Sequence, residues 1–159
     1  LGDPRFLGSS RVYLAEILAD LGQLDEALVE AELAVADLAT VPPSQAQALG
    51  TFASLLLRAG RTDEALAHAR TAVEMIDAMG GTDEGESRIR LSLVEALAVC
   101  GEEEASRAAL AVAVTRLEGR AAAIHDEELR RSFRERVEEN ARTLELAAAW
   151  ATPRSPASA

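Results

Sequence analysis

The sequence of 159 residues has few of the features that mark sheets, disulfide frameworks or membrane spans. Aromatic residues make up only 3% of it, while alanine and leucine dominate, a composition that favours closely packed helices over β-sandwiches. Cys100 is the only cysteine, so an internal disulfide is excluded and a cytoplasmic location is expected. No apolar stretch approaches the roughly 20 residues that a membrane span needs.

Lysine is absent, and all 16 basic residues are Arg, against 27 acidic residues. The net charge of −11 argues against nucleic acid as a partner, because duplex-binding proteins gain most of their affinity from basic surfaces that neutralise phosphates. The lack of Lys and the excess of alanine are typical of a GC-rich bacterial genome. The sequence begins without Met and without a signal-peptide pattern, and we interpret it as a fragment of a larger protein.

The sequence does contain a motif centred on glycine, which occurs three times, at Gly22, Gly60 and Gly101. An apolar run with helical spacing precedes each glycine, and a second run follows it after acidic residues. Glycine readily adopts the left-handed conformation that ends a helix, and acidic residues are favoured in a first helical turn. Each copy therefore predicts a helix, a tight turn and a second helix.

Small residues at matching positions predict where the helices of each copy cross closely. The first two copies have alanine at these positions: Ala15, Ala27 and Ala34, then Ala53, Ala65 and Ala72. We align the third copy with one residue fewer after its glycine, which gives Val94, Ala105 and Val112. Larger side chains at helical spacing are expected to pack around them. These larger residues are Leu14, Leu18, Phe52, Leu56, Leu93 and Leu97.

The turn sequence Gly-x-x-Asp-Glu-Ala-Leu of the first two copies resembles that of the tetratricopeptide repeat (TPR) family, and the resemblance covers roughly residues 10–117. The intervals of 38 and 41 residues between the glycines exceed the usual 34, as in an extended-spacing variety. Arg11, Leu49 and Arg90 stand where the family often has a bulky aromatic residue. The resemblance implies an all-α fold, a right-handed α-solenoid of antiparallel helix hairpins with a C-terminal capping helix or helix pair.

The predicted organisation has four parts. They are a lead-in (residues 1–8), three TPR-like hairpins (9–125, divided as 9–41, 43–80 and 83–125), a capping segment (126–150) and a tail or linker (151–159). The amphipathic capping segment would cover the last apolar surface of the solenoid. No proline decides whether it forms one helix or two helices with a break near residues 138–140.

The sequence contains no set of residues suited to catalysis, so we predict a protein that is not an enzyme and uses no cofactor. A metal site needs three or four converging ligands. His68 has no partner at ligand spacing and His125 has only adjacent carboxylates, so both are interpreted as surface residues. Cys100 has no neighbouring base or positive charge and is interpreted as a small core residue.

The predicted binding surface is the concave side of the solenoid, which the first helices of the pairs line. The predicted groove residues are Tyr13, Glu16, Asp20, Gln47, Thr51, Ser54, Arg58, Arg88, Ser92 and Glu95, with Ser9, Val12 and Val99 on the same face. This mixed surface would complement a peptide or an amphipathic helix with basic and apolar character. TPR domains that bind C-terminal carboxylates use Lys and Asn as well as Arg, and the repeats contain neither Lys nor Asn.

Two functions are expected from this architecture. The first is a protein–protein interaction scaffold, as a regulatory part of a larger bacterial signalling protein. Residues 127–148 are similar to the C-terminal end of helical-repeat regions that follow kinase or NTPase domains. The alternative is a structural or self-association module, because an apolar edge of the first hairpin would pack on other repeats or on a second copy.

Overall fold

A computed structural model describes residues 4–151, and all regular structure in this range is helical. The helices are α1 (Pro4–Asp20), α2 (Leu24–Asp37), α3 (Pro42–Arg58), α4 (Thr62–Ala78), α5 (Glu86–Val99), α6 (Glu103–Ala122), α7 (Glu127–Glu135) and α8 (Glu138–Ala151). The all-α class is confirmed, since none of the described residues lies in a strand. Residues 4–8 of the predicted lead-in are helical and belong to α1, and most of the predicted tail lies outside the described residues.

Consecutive helices pack in pairs, α1 with α2, α3 with α4 and α5 with α6. The first helix of each later pair also contacts both helices of the pair before it, so that α3 contacts α1 and α2, and α5 contacts α3 and α4. The same relation holds once more, because α8 contacts both α5 and α6. The last helix therefore occupies the place of a first helix in a further pair.

The turns inside the three pairs have the same geometry. Gly22, Gly60 and Gly101 have φ of +81°, +75° and +79°, a region that side chains other than glycine rarely adopt. In each turn the amide of the next residue donates a 2.9 Å hydrogen bond to the carbonyl oxygen four residues before the glycine. This bond satisfies a carbonyl that the helix end leaves without a partner. The glycines thus end α1, α3 and α5, as the sequence predicted.

Because the three glycine turns have the same geometry, positions after Gly101 correspond to positions at the same distance after Gly22 and Gly60. The predicted alignment of the third pair was therefore wrong by one residue after its glycine. Ser106, not Ala105, is the buried residue that corresponds to Ala27 and Ala65. Its hydroxyl donates to the carbonyl oxygen of Val94 at 2.6 Å, which satisfies a polar group inside the crossing. In the same way Ala113 is buried, whereas Val112, the residue expected there, is 49% exposed.

Alanines line the close approaches between helices. All six alanines predicted at crossings in the first two pairs are fully buried. Ala15 and Ala27, for example, pack in one cluster with Phe52 and Leu56 of α3. The prediction for Leu14 was wrong, since its side chain is 43% exposed. Phe52, the corresponding residue of α3, is buried, because α3 packs on the first pair.

The C-terminal segment forms two helices rather than one, and the break falls at residues 136–137, just before the predicted position. Asp126 caps α7, since its side chain accepts a 2.8 Å hydrogen bond from the amide of Leu129. Asn140 is buried in α8 and donates to the carbonyl oxygen of Phe133 at 2.8 Å, which ties α8 to α7 across the break.

A buried ion cluster holds the third pair to its neighbours. The carboxylate of Glu86, only 3% exposed, accepts from Arg90 Nε at 2.8 Å and from Arg116 Nε at 2.7 Å. Arg90 is itself buried and also pairs with Asp77 of α4 at 2.7 Å. Burial alone would raise the pKa of the Glu86 carboxyl, but the hydrogen bonds from the two arginines outweigh burial and lower that pKa below 4.5.

Candidate functional site

A cleft of about 530 Å³ lies between α1, α3, α5 and α8. It is formed by the first helices of the three pairs together with the helix that takes the corresponding place after them. The lining residues are Glu16, Ala19, Asp20, Thr51, Ser54, Leu55, Arg58, Arg88, Leu91, Glu95, Glu138, Glu139, Ala141, Arg142 and Glu145. Both charged and apolar side chains are therefore available to a ligand of the cleft.

Seven of the ten predicted groove residues line this cleft. They are Glu16, Asp20, Thr51, Ser54, Arg58, Arg88 and Glu95. The other three, Tyr13, Gln47 and Ser92, do not. Ser92 is buried, and its hydroxyl donates to the carbonyl oxygen of Ile89 at 2.8 Å. Val12, expected on the same face, is buried in the core with Ala34 and Leu38.

The sequence did not predict that α8 contributes to the cleft. Five of its residues line one side, at positions 138, 139, 141, 142 and 145. No glycine turn of the repeated kind precedes α8, so the repeat pattern gave no signal that this helix takes the place of a first helix. The only available signal was the amphipathic pattern of the segment, which was interpreted as a cap over the last apolar surface.

The polar residues of the cleft form a network that joins all four helices. Glu16 of α1 accepts from the hydroxyl of Thr51 on α3 at 3.2 Å and forms an ion pair with Arg88 of α5. Arg88 also lies 3.8 Å from Glu139 of α8, measured from Nη2 to Oε2. Arg142 of α8 returns to α5 with a 3.2 Å hydrogen bond to Glu95. The walls of the cleft are therefore cross-linked by charge-assisted contacts.

Tyr13 lies outside the cleft and is half exposed. Its hydroxyl donates a 3.0 Å hydrogen bond to the carboxylate of Glu84, which lies between α4 and α5, and this bond raises the pKa of Tyr13. Together with the contact between Glu16 and Arg88, it connects α1 directly to the third pair. Tyr13, predicted as a groove residue, is thus engaged within the chain.

The cleft has an excess of negative charge. Its lining contains six carboxylates and three guanidinium groups, a net charge of −3. Four of the carboxylates contact arginine side chains, whereas Asp20 and Glu138 make no hydrogen bond or ion pair with any residue in the described range. Arg58 donates instead to the backbone carbonyl of Ala19 at 2.8 Å. Within the part of the chain that the structure describes, the two cleft groups that lack both a hydrogen bond and an ion pair are therefore negative, while the positive charge of Arg58 has a backbone partner but no carboxylate.

No group of three or more His, Cys, Asp or Glu side chains within residues 4–151 is arranged to hold a metal ion. His68 is half-buried rather than on the surface, since its ring packs 4.9 Å from that of Phe52. Cys100 is also half-buried, with its sulfur 3.8 Å from the carbonyl oxygen of Thr62. The cleft residues themselves are carboxylates, guanidinium groups, hydroxyls and aliphatic side chains.

Comparison of the chain with models of protein families, with curated proteins and with solved structures gave no match. Among the described helices, none combines the length and the apolar character that crossing a membrane requires.

Proposed function

We propose that the helix pairs are TPR-like antiparallel hairpins stacked as a right-handed α-solenoid, and that the chain is a protein–protein interaction scaffold. The repeated glycine turn supports the first part, since the same hydrogen bond closes it three times. The repeated contact of each first helix with both helices of the preceding pair also supports it. The observation that carries the second part is the cleft between the first helices, because such surfaces are used for binding in solenoid proteins.

The partner that best fits the cleft is a peptide or an amphipathic helix with basic and apolar side chains. Asp20 and Glu138 have no partner among the described residues, so basic groups of a ligand can pair with these two carboxylates without breaking an existing contact. Leu55 and Leu91 form the apolar floor of the cleft, although each is less than 10% exposed. An acidic segment would meet like charge on α1, α5 and α8 and would be repelled.

In this proposal the chain has no catalytic residue and no cofactor, and it acts in the cytoplasm as a regulatory part of a larger signalling protein. Its contribution to such a protein is recognition. The side chains of the cleft select a partner by charge and shape, and no step of the proposed function makes or breaks a covalent bond.

The proposal is tested by titrating the chain with a fluorescent helical peptide of Leu, Ala and Arg, and with a matched peptide that has Glu in place of Arg. The double variant Asp20→Asn and Glu138→Gln removes the two cleft carboxylates that have no partner in the chain. We expect it to bind the basic peptide roughly fivefold more weakly, since two exposed ion pairs contribute about 0.5 kcal/mol each.

The matched control is the double variant Glu74→Gln and Glu127→Gln, two exposed carboxylates outside the cleft. Glu127 lies in the first turn of α7, as Glu138 does in α8, so each double variant loses a similar interaction with a helix dipole. The control should bind the basic peptide with unchanged affinity. Equal weakening in both variants would show that the cleft is not the binding surface, and tighter binding of the acidic peptide would contradict the proposed preference for a basic partner.

A further inference from the structure

Helix α1 presents a continuous apolar face to solvent. The exposed large side chains of this face are Phe6, Leu7, Tyr13, Leu14 and Ile17 on α1 and Leu21 directly after its last residue, with exposures from 43% to 77%. At 3.6 residues per turn these side chains and Ser10 fall within an arc of about 120°. No acidic or basic residue of α1 lies in this arc. A contiguous apolar face of this kind on a helix is a docking surface rather than scattered exposure.

Comparison with α3, the first helix of the second pair, shows how the corresponding face is packed there. Counted from the glycine turns, Tyr13, Leu14 and Ile17 correspond to Thr51, Phe52 and Leu55 of α3. Those three residues of α3 are at most 6% exposed, and Phe52 and Leu55 pack in one cluster with alanines of the first pair. The exposed face of α1 is therefore the face that α3 uses to pack on helices.

The spacing of the face indicates which helix can cover it. Residues 7, 10, 14, 17 and 21 alternate by three and four, which is the spacing of a coiled-coil seam. The three leucines are placed symmetrically about Leu14, because Leu7 and Leu21 lie seven residues before and after it, whereas Ser10 lies four residues before it and Ile17 three after. An antiparallel copy of the same helix would place Leu14 against Leu14 of the second copy, and Leu7 against Leu21. Antiparallel helix dipoles are also mutually favourable.

We propose that two copies of this chain associate through the apolar face of α1, with the two helices antiparallel about a two-fold axis at Leu14. The interface is isologous, so the same residues contribute from both copies and the assembly closes as a dimer. This interface is independent of peptide binding in the cleft, since none of residues 7, 10, 14, 17 and 21 lines the cleft.

The oligomeric state of the full 159-residue chain tests the proposal, by sedimentation velocity and light scattering over a concentration series. The wild type is expected to be a concentration-dependent dimer. Leu14→Asp places two carboxylates against each other at the axis, and we expect dimerisation to weaken at least tenfold. Because Leu14 is exposed in the single chain, the helical circular dichroism signal of this variant should not change. The control Val112→Asp introduces the same charge on an exposed position of α6 and should leave the dimer intact.

Cysteine cross-linking tests the orientation, in a Cys100→Ser background that removes the only native thiol. A disulfide forms only where the two Cα atoms come within about 7 Å. We expect disulfide dimers from Leu14→Cys alone and from a mixture of Leu7→Cys with Leu21→Cys, but not from Leu7→Cys alone. A wild type that stays monomeric, a Leu14→Asp variant that stays dimeric, or disulfide dimers of Leu7→Cys alone would each overturn the proposal.

Discussion

Glu86 shows at the scale of single residues how the fold tolerates buried charge. Its carboxylate and the guanidinium group of Arg90 are both almost inaccessible to solvent, and each would be costly to bury alone. Arg116 supplies a second guanidinium group from α6, and Asp77 supplies a second carboxylate from α4. The cluster therefore connects α4, α5 and α6 at the point where the chain enters the third pair.

Replacing Glu86 with Gln should destabilise the protein by about 3 kcal/mol at neutral pH, because Arg90 loses its buried partner. The effect should depend on pH. The folded state lowers the pKa of Glu86, so the carboxylate stabilises the fold above the ordinary pKa near 4.5, and this contribution is lost as the pH falls through the folded value. Urea unfolding of the wild type and the variant measures the difference.

The stability difference between wild type and Glu86→Gln should therefore shrink as the pH falls below about 4. Glu74→Gln serves as the control, because Glu74 is exposed and its substitution should change stability by at most about 0.5 kcal/mol at any pH. If the stability difference between wild type and Glu86→Gln stays constant between neutral pH and about pH 3, the proposed role of the ionised Glu86 carboxylate is ruled out.

Sequence reasoning at the residue scale identified the alanines at the crossings but not the ion pairs. The alanines recur at a fixed distance from a glycine, which is a local pattern. Glu16 and Arg88 are 72 residues apart, so nothing local marks them as partners. Arg90, which the resemblance to TPR repeats placed at a position often aromatic in that family, forms a buried ion pair with Glu86.

At the scale of elements, the close crossing of paired helices depends on small side chains. Ala65 is fully buried where α4 packs on α3. We expect Ala65→Leu to overpack this crossing and to destabilise the fold by about 1–3 kcal/mol. The control Ala67→Leu adds the same side chain two residues further along α4, at an exposed position. If both variants unfold at the same temperature, the proposed close crossing of α3 and α4 at Ala65 is contradicted.

The sequence predicted the helices of the three pairs well because their signals are local. Apolar spacing and the glycine turn are set within a few residues, and the bounds of α2 to α6 follow from them. The third pair was misaligned because alanine was used as the marker of the crossing, whereas the turn sets the register and places Ser106 there. The break between α7 and α8 contains neither Gly nor Pro, so periodicity alone left one helix or two open.

At the scale of the whole molecule, the cleft depends on helices that are distant in sequence. Seven of its residues could be predicted, since they lie on the first helices of the pairs at distances from the glycine turn that recur from one pair to the next. The contribution of α8 could not be predicted, because that helix takes its place through contacts with α5 and α6. The exposure of Leu14 is also a property of the whole molecule, since it depends on what covers α1.

Methyl NMR of the chain titrated with the basic helical peptide tests the central claim, that the cleft binds a polypeptide, most directly. The methyl groups of Leu55 and Leu91 line the cleft, whereas those of Val29 and Val112 lie on exposed faces of α2 and α6 outside it. We predict that the signals of Leu55 and Leu91 shift and saturate with the peptide while those of Val29 and Val112 stay in place. Saturating shifts at Val29 or Val112 with none at Leu55 and Leu91 would contradict the account.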